Sequence, residues 1–280
     1  MPNYKLTIEY NGANFSGSQV QSRGLENQNE SILRTVQGEL EKALQIYFRV
    51  SERILTIFSG RTDTGVHAIG QVVNFKIASQ VIKTLSAEYE NILEENPDKF
   101  LISLNGILPD DLAVVKIARV VENFNARFDA KSREYLYKIF VRRHKPVLRL
   151  DSLTWVKEPL DFDAMAAHAK KFLGKQDFSD YSKLDESQSD IYCNVLESEL
   201  VMESKICFKF RIKADRFLRH MVRRIVGELI EVGKQVAAGE KYDPENFTFI
   251  SESGSKQELV KIKVNKSAAP EGLTLMAVEY

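Results

Sequence analysis

Tyr4, Leu6, Ile8 and Tyr10 alternate with Lys5, Thr7 and Glu9, the period-two pattern of a strand with one buried face. Asn11-Gly12 then turns the chain. Leu33, Val36, Leu40, Ala43 and Leu44 follow helical spacing, and Ser31 is placed to cap the N-terminus of that helix. Two apolar runs, residues 54–58 and 72–77, predict strands on either side of a glycine-containing loop. Residues 84–98 are acidic and compatible with a helix ending at Pro97, and residues 112–121 predict another strand.

The second half repeats the style. Tyr135, Tyr137, Ile139 and Val141 share one face of a predicted strand. Phe162, Met165, Ala166, Ala169, Phe172 and Leu173 mark an amphipathic helix closed by Gly174, a residue common at helix C-termini. Ile206, Phe208, Phe210 and Ile212 alternate with Cys207, Lys209, Arg211 and Lys213. In an antiparallel sheet that strand would keep an apolar face inside and a cationic face open to a ligand. A helix burying Met221, Ile225, Leu229 and Val232 follows. Residues 239–270 read as polar loop, and residues 273–280 as a closing strand. Two strand–helix–strand halves, joined near residues 106–115, are the simplest organisation.

Charge changes this picture more than composition does. The 280 residues carry no net formal charge, and 44% hydrophobic with 28% charged residues describes a globular chain rather than a disordered one. The distribution is uneven. From Lys116 to Arg149 ten basic residues are opposed only by Glu122, Asp129 and Glu134, and from Lys209 to Arg224 seven face Asp215 alone. Segregated charge suits a polyanion-binding face on a neutral protein, the alternative being a scatter of solvated side chains. Cys193 and Cys207 are too few for a disulfide framework, and His67, His144, His168 and His220 are too dispersed for a zinc site. The N-terminal alternation is unlike a signal peptide, and no run approaches the ~20 apolar residues of a membrane span. These features predict a cytoplasmic protein with no metal and no membrane association.

The most specific chemistry lies in Gly60-Arg61-Thr62-Asp63-Thr64-Gly65-Val66-His67-Ala68. Glycine serves where backbone must turn with positive φ or admit a ligand closely. The segment therefore predicts a tight loop between two strands, with Asp63 at its rim. An ordinary hairpin loop with an Asp–Arg pair is the plainer alternative.

The same residues resemble the G-R-T-D-x-G-V-H loop of the tRNA pseudouridine synthase A family, which surrounds one essential aspartate. The likeness continues in order along the chain. Phe124-Asn125-Ala126-Arg127-Phe128 and Arg133-Glu134-Tyr135-Leu136-Tyr137 are similar to the family's F-x-A-R-F and R-x-Y-x-Y. Phe217-Leu218-Arg219-His220-Met221-Val222-Arg223-Arg224-Ile225-Val226-Gly227 resembles F-x-x-x-M-V-R-x-I-V-G, and Glu271-Gly272-Leu273-Thr274-Leu275 resembles E-G-L-x-L. Two departures stand out: Gly17-Ser18-Gln19 where the family commonly has G-W-Q, and a longer acidic stretch around residues 84–98.

The resemblance implies an α+β fold of two related strand–helix halves, forming a mixed, mainly antiparallel central sheet with flanking helices. Residues 1–112 would carry the aspartate loop, and residues 113–280 the tyrosine and the arginine helix. It implies isomerisation of uridine to pseudouridine at positions 38, 39 and 40 of the tRNA anticodon arm, by a homodimer and without a cofactor. Asp63 would attack C1′ or remove a proton from C2′, two routes the sequence leaves open. Arg223 would pair with Asp63, and Tyr135 would stack on the target uracil. A stacked base must be flipped out to reach a recessed carboxylate, and Arg61 is suitably placed to fill the gap or to hold the displaced strand. Other classes fit less well. A non-catalytic RNA-binding protein has no need of Asp63, a glycosidase usually needs a placed carboxylate pair, and residues 227–234 fail the spacing of a phosphate-binding loop.

Overall fold

A computed structural model describes residues 1–20, 33–77, 93, 96–148, 152–182, 190–253, 256–260 and 267–280. The chain divides into two units, Met1–Lys131 with Leu275–Tyr280, and Ser132–Thr274. Strands and helices are numbered in chain order.

The first unit is built around β1 (Asn3–Tyr10), antiparallel to both β3 (His67–Lys76) and β4 (Leu112–Val120). The short β2 (Thr56–Phe58) pairs antiparallel with β3, and β13 (Leu273–Glu279) lies next to β3 in the sheet order. Tyr4, Leu6, Ile8 and Tyr10 are all buried, as the period-two pattern predicts. The helix α1 (Val36–Phe48) buries Val36, Leu40, Ala43, Leu44 and Phe48 on one stripe. Its start differs from the sequence expectation. Thr35 is extended (φ −127°, ψ 153°) and its side chain accepts from the Gly38 N–H, so it caps the helix. Leu33 is exposed and precedes the helix, and Ser31 lies outside the described residues.

Most of the acidic run 84–98 lies outside the described residues; Leu93 within it is helical, and a helix starts at its proline. In α2 (Pro97–Asn105) Pro97 occupies the first turn, where a missing N–H costs nothing, and the Asn96 side chain accepts from the Lys99 N–H.

The second unit holds a sheet of order β5 (Ser132–Val141), β9 (Cys207–Ala214), β8 (Tyr192–Ser204), β7 (Gly174–Asp177), with every neighbour antiparallel. The short β6 (Thr154–Val156) runs parallel beside β5. Tyr135, Tyr137 and Ile139 are buried, as are Phe208, Phe210 and Ile212. The fold is therefore α+β with mixed, mainly antiparallel pairing, as expected.

Among the described residues two α-helices belong to this unit, α3 (Phe162–Ala169) and α4 (Met221–Ala237). The first is shorter than its apolar pattern suggests. It tightens into a 3-10 turn at Lys170–Phe172, and Gly174 (φ 87°) opens β7 instead of closing the helix directly. Residues 239–270, read as loop, contain a small antiparallel sheet of β10 (Lys241–Asp243), β11 (Thr248–Ser253) and β12 (Lys256–Val260). Two aromatics anchor it among the described residues: Phe249 packs with Ala164 of α3 and Val232 of α4, and Tyr242 packs against the same cluster. Two aromatic anchors in a polar segment leave little periodicity to read.

The core of the second unit contains a polar cluster. The Glu228 carboxylate on α4 is fully buried and is met by His168 Nε2 at 2.6 Å, Lys171 Nζ at 2.7 Å and the Tyr181 hydroxyl at 2.7 Å. His168 Nδ1 lies 2.6 Å from the Tyr242 hydroxyl.

Candidate active site

Thr56 pairs with Phe75, Ile57 with Asn74 and Phe58 with Val73, so β2 and β3 flank the loop formed by residues 59–66. Its entry is tied down by the buried Gln71 of β3. Gln71 Oε1 accepts from the Ser59 hydroxyl at 2.6 Å, and Gln71 Nε2 donates to the Gly60 carbonyl at 2.9 Å. Thr62 is held at three points. Its N–H donates to Ser18 Oγ at 2.8 Å, its carbonyl accepts from the Ser18 N–H at 3.1 Å, and its hydroxyl is 2.8 Å from that of Tyr10. Burial pushes the Tyr10 phenol up to about 12, so it keeps its proton in that bond.

Beyond Thr62 the chain turns at once. The Val66 N–H donates to the Asp63 carbonyl at 3.2 Å, and Gly65 sits third in that turn with φ 81°, a value glycine adopts without steric cost. Asp63 thus stands between a residue held on both backbone groups and a closed turn. It is half-buried, while Arg61 and Thr64 are exposed. His67 begins β3 and is buried; its Nδ1 accepts from the Gly12 N–H at 3.0 Å, which puts the proton of a neutral ring on Nε2.

Tyr135 and Arg223 belong to the second unit. Tyr135 is paired with Ile212 across β5 and β9, is 8% exposed, and meets Phe217 edge to face, with centroids 5.1 Å apart. Arg223 is the third residue of α4. Its Nε donates to the Ala268 carbonyl at 2.8 Å, and its own carbonyl accepts from the Ala268 N–H at 2.8 Å. A carboxylate pairing with this guanidinium would therefore meet its Nη groups. Ahead of it, His220 caps α4 with a left-handed backbone (φ 64°, ψ 0°), a conformation costing a non-glycine residue roughly 1 kcal/mol. Arg61 and Asp63 thus share a loop of the first unit, and Tyr135 and Arg223 lie in the second.

The cationic face of β9 is more balanced than its sequence implies. Lys209 pairs with Glu203, Arg211 with Glu134 at 3.2 Å, and Lys213 with Glu197 at 3.9 Å. These acids come from neighbouring strands, so a window along β9 alone misses them. Arg143 and Lys145, beyond the end of β5, are exposed. The loop before β5 presents Phe128, 77% exposed, with the Arg127 guanidinium 5.6 Å from its ring centroid.

Among the described residues no group of three or more His, Cys, Asp or Glu side chains is placed to hold a metal ion, and no helix is long and apolar enough to cross a membrane.

Comparison with known proteins sets the class and then the family. Residues 168–280 match the family model described as tRNA pseudouridine synthase. A tRNA pseudouridine synthase A from Dictyoglomus thermophilum is 38% identical over 245 residues, covering 86% of this chain and 90% of that protein. The same-named proteins of Aquifex aeolicus (36% identical, covering 83% and 85%) and Dictyoglomus turgidum (35%, the full length of both) agree. The chain belongs to the tRNA pseudouridine synthase A family.

Proposed function

We propose that this chain isomerises uridine to pseudouridine at positions 38, 39 and 40 of the tRNA anticodon arm, with Asp63 as the catalytic carboxylate. Family membership makes it an isomerase acting on uridine in tRNA; the positions and the carboxylate are the proposal. The observation that carries it is the bracing of the β2–β3 loop, where buried groups of β1, β3 and the segment before α1 hold the residues around one half-buried aspartate.

The reaction breaks the C1′–N1 bond, turns the freed uracil and rejoins it through C5. It is an isomerisation with no net redox change. Asp63 acts in its ionised form, by attack on C1′ or by removal of the C2′ proton. Closing substrate over the carboxylate disfavours its charge, and Arg223 opposes that by pairing through its Nη groups while Nε stays on Ala268. Tyr135 stacks on the uracil. Arg61, exposed two residues before Asp63, fills the space that the flipped nucleotide leaves. Phosphate contacts from the basic segments offset the few kcal/mol of unstacking. In this reading residues 1–112 supply the carboxylate and residues 113–280 the tyrosine and arginine. The protein works in the cytoplasm as a homodimer.

The test is to incubate purified protein with unmodified tRNA transcripts carrying uridine at 38, 39 or 40 and to map pseudouridine base by base. Pseudouridine at those positions supports the proposal. Modification only at other positions overturns the site assignment, and none at all overturns the activity.

A further inference from the structure

We infer that Ser18 is a positioning residue for the catalytic loop, coupling the start of α1 to the backbone beside Asp63; the inference rests on Asp63 being the reacting carboxylate. Ser18 is 1% exposed and forms a two-way bridge to Thr62, its Oγ accepting from the Thr62 N–H and its own N–H donating to the Thr62 carbonyl. On its other side the segment is bonded to the helix. The Gly17 carbonyl accepts from the Val36 N–H at 3.3 Å, and the Ser18 carbonyl from the Gln37 N–H at 2.9 Å, so two otherwise unsatisfied donors of the first turn of α1 are spent on it. Gly17 has φ 97°, and a Cβ there would sit 3.1 Å from the Thr62 carbonyl oxygen, so the two backbones lie against each other.

A continuous path of hydrogen bonds therefore runs from α1 through Ser18 to Thr62, one residue before Asp63. The part that depends on the side chain is the acceptor for the Thr62 N–H. Thr62 is 7% exposed, so removing the hydroxyl leaves a buried donor without that partner and drives the loop to shift until it finds another. A shift of ~1 Å at a reacting group is enough to cost on the order of a hundredfold in rate. Ser18 has no reason to touch RNA in this arrangement, and its loss should leave tRNA affinity alone.

The experiment measures Ser18→Ala for thermal midpoint, tRNA affinity and single-turnover rate at saturating tRNA, with Asp63→Asn alongside. The expected result is a rate lowered by about ten- to a hundredfold, with affinity within about twofold of wild type. A rate within twofold of wild type overturns the inference, as does a parallel loss of rate and affinity, which marks a general structural role. If Ser18→Ala does not fold, Ser18→Cys, nearly isosteric but a weak acceptor, is judged by the same criteria. An Asp63→Asn variant that turns over defeats the catalytic reading itself. An inert Asp63→Asn beside a fully active Ser18→Ala defeats only the positioning role.

Discussion

The carbonyl oxygen of Val66 lies 2.0 Å from where a Cβ on Gly12 would be, and the Gly12 N–H donates to His67 of the adjoining residue. The segment after β1 is thus packed backbone to backbone against the end of the loop that carries Asp63. Because the obstructing atom is backbone, Gly12→Ala must displace one segment or the other. The expected outcome is a loss of about 1–3 kcal/mol of stability, as for other overpacked sites, together with slower turnover. Chemical denaturation and single-turnover kinetics on the same preparation check it. Unchanged values in both would show that the loop accommodates a methyl group there.

The Glu228–His168 pair makes stability depend on pH. Burial holds His168 below its ordinary value, more than Glu228 beside it restores. For Glu228, burial alone would raise the carboxyl, but hydrogen bonds from His168, Lys171 and Tyr181 outweigh it and hold the group below the usual range. Both groups then bind protons more readily in the unfolded chain. The stability they contribute is present above the unfolded values, about 6.5 for histidine and about 4.3 for glutamate, and is lost as pH falls through the folded ones. Unfolding midpoints should be level near pH 7 to 8 and decline below about 6.5. Glu228→Gln should cost roughly 3 kcal/mol at neutral pH, because it leaves buried donors facing an uncharged amide. Urea titrations across pH check both; a midpoint that rises on acidification would contradict them.

The two basic regions should contribute unequally to RNA affinity. Lys209 and Arg211 already face Glu203 and Glu134, whereas Arg143 is exposed beyond the end of β5. Replacing Arg142 and Arg143 together by Gln should reduce the slope of log affinity against log salt by roughly 1.5, the release expected for two phosphate contacts. The corresponding Lys209 and Arg211 double variant should change it less. Equal slopes for the two variants would show that the cross-strand carboxylates do not compete with RNA.

In the proposed complex Arg223 would have two tasks that lysine cannot combine. Its Nε holds the Ala268 carbonyl while the Nη groups pair with Asp63 in the proposed complex. Arg223→Lys keeps the charge but loses the planar fork. Turnover should fall at least about tenfold while tRNA affinity stays near wild type, since one neutralised phosphate contact is not what is lost. Single-turnover rates at saturating tRNA near those of the wild type would remove the ion-pair role.

Much of the fold was legible because it rests on periodicity. Tyr4 to Tyr10, Tyr135 to Ile139 and Phe208 to Ile212 bury one face at every second residue, and α4 buries Ile225, Leu229 and Val232 on one stripe. Boundaries were less legible where local chemistry decides them. Thr35 rather than Ser31 precedes α1, and Pro97 opens a helix because its preceding Asn96 supplies a cap. In the site, Arg61 and Asp63 were visible as one motif. Their supports were not, because Ser18, Tyr10 and Gly12 come from 44, 52 and 55 residues away from their partners. The Glu228 cluster was hidden for the same reason, its histidine lying 60 residues earlier.

The most direct test of the central claim is the single-turnover rate of pseudouridine formation by Asp63→Asn on saturating unmodified tRNA, with tRNA affinity measured in parallel. Asparagine keeps the size and most of the hydrogen bonding but cannot serve as nucleophile or base. The account predicts no detectable product while affinity stays within a few-fold of wild type. Product at a substantial fraction of the wild-type rate would contradict it, and loss of affinity in step with activity would make Asp63 a structural residue instead.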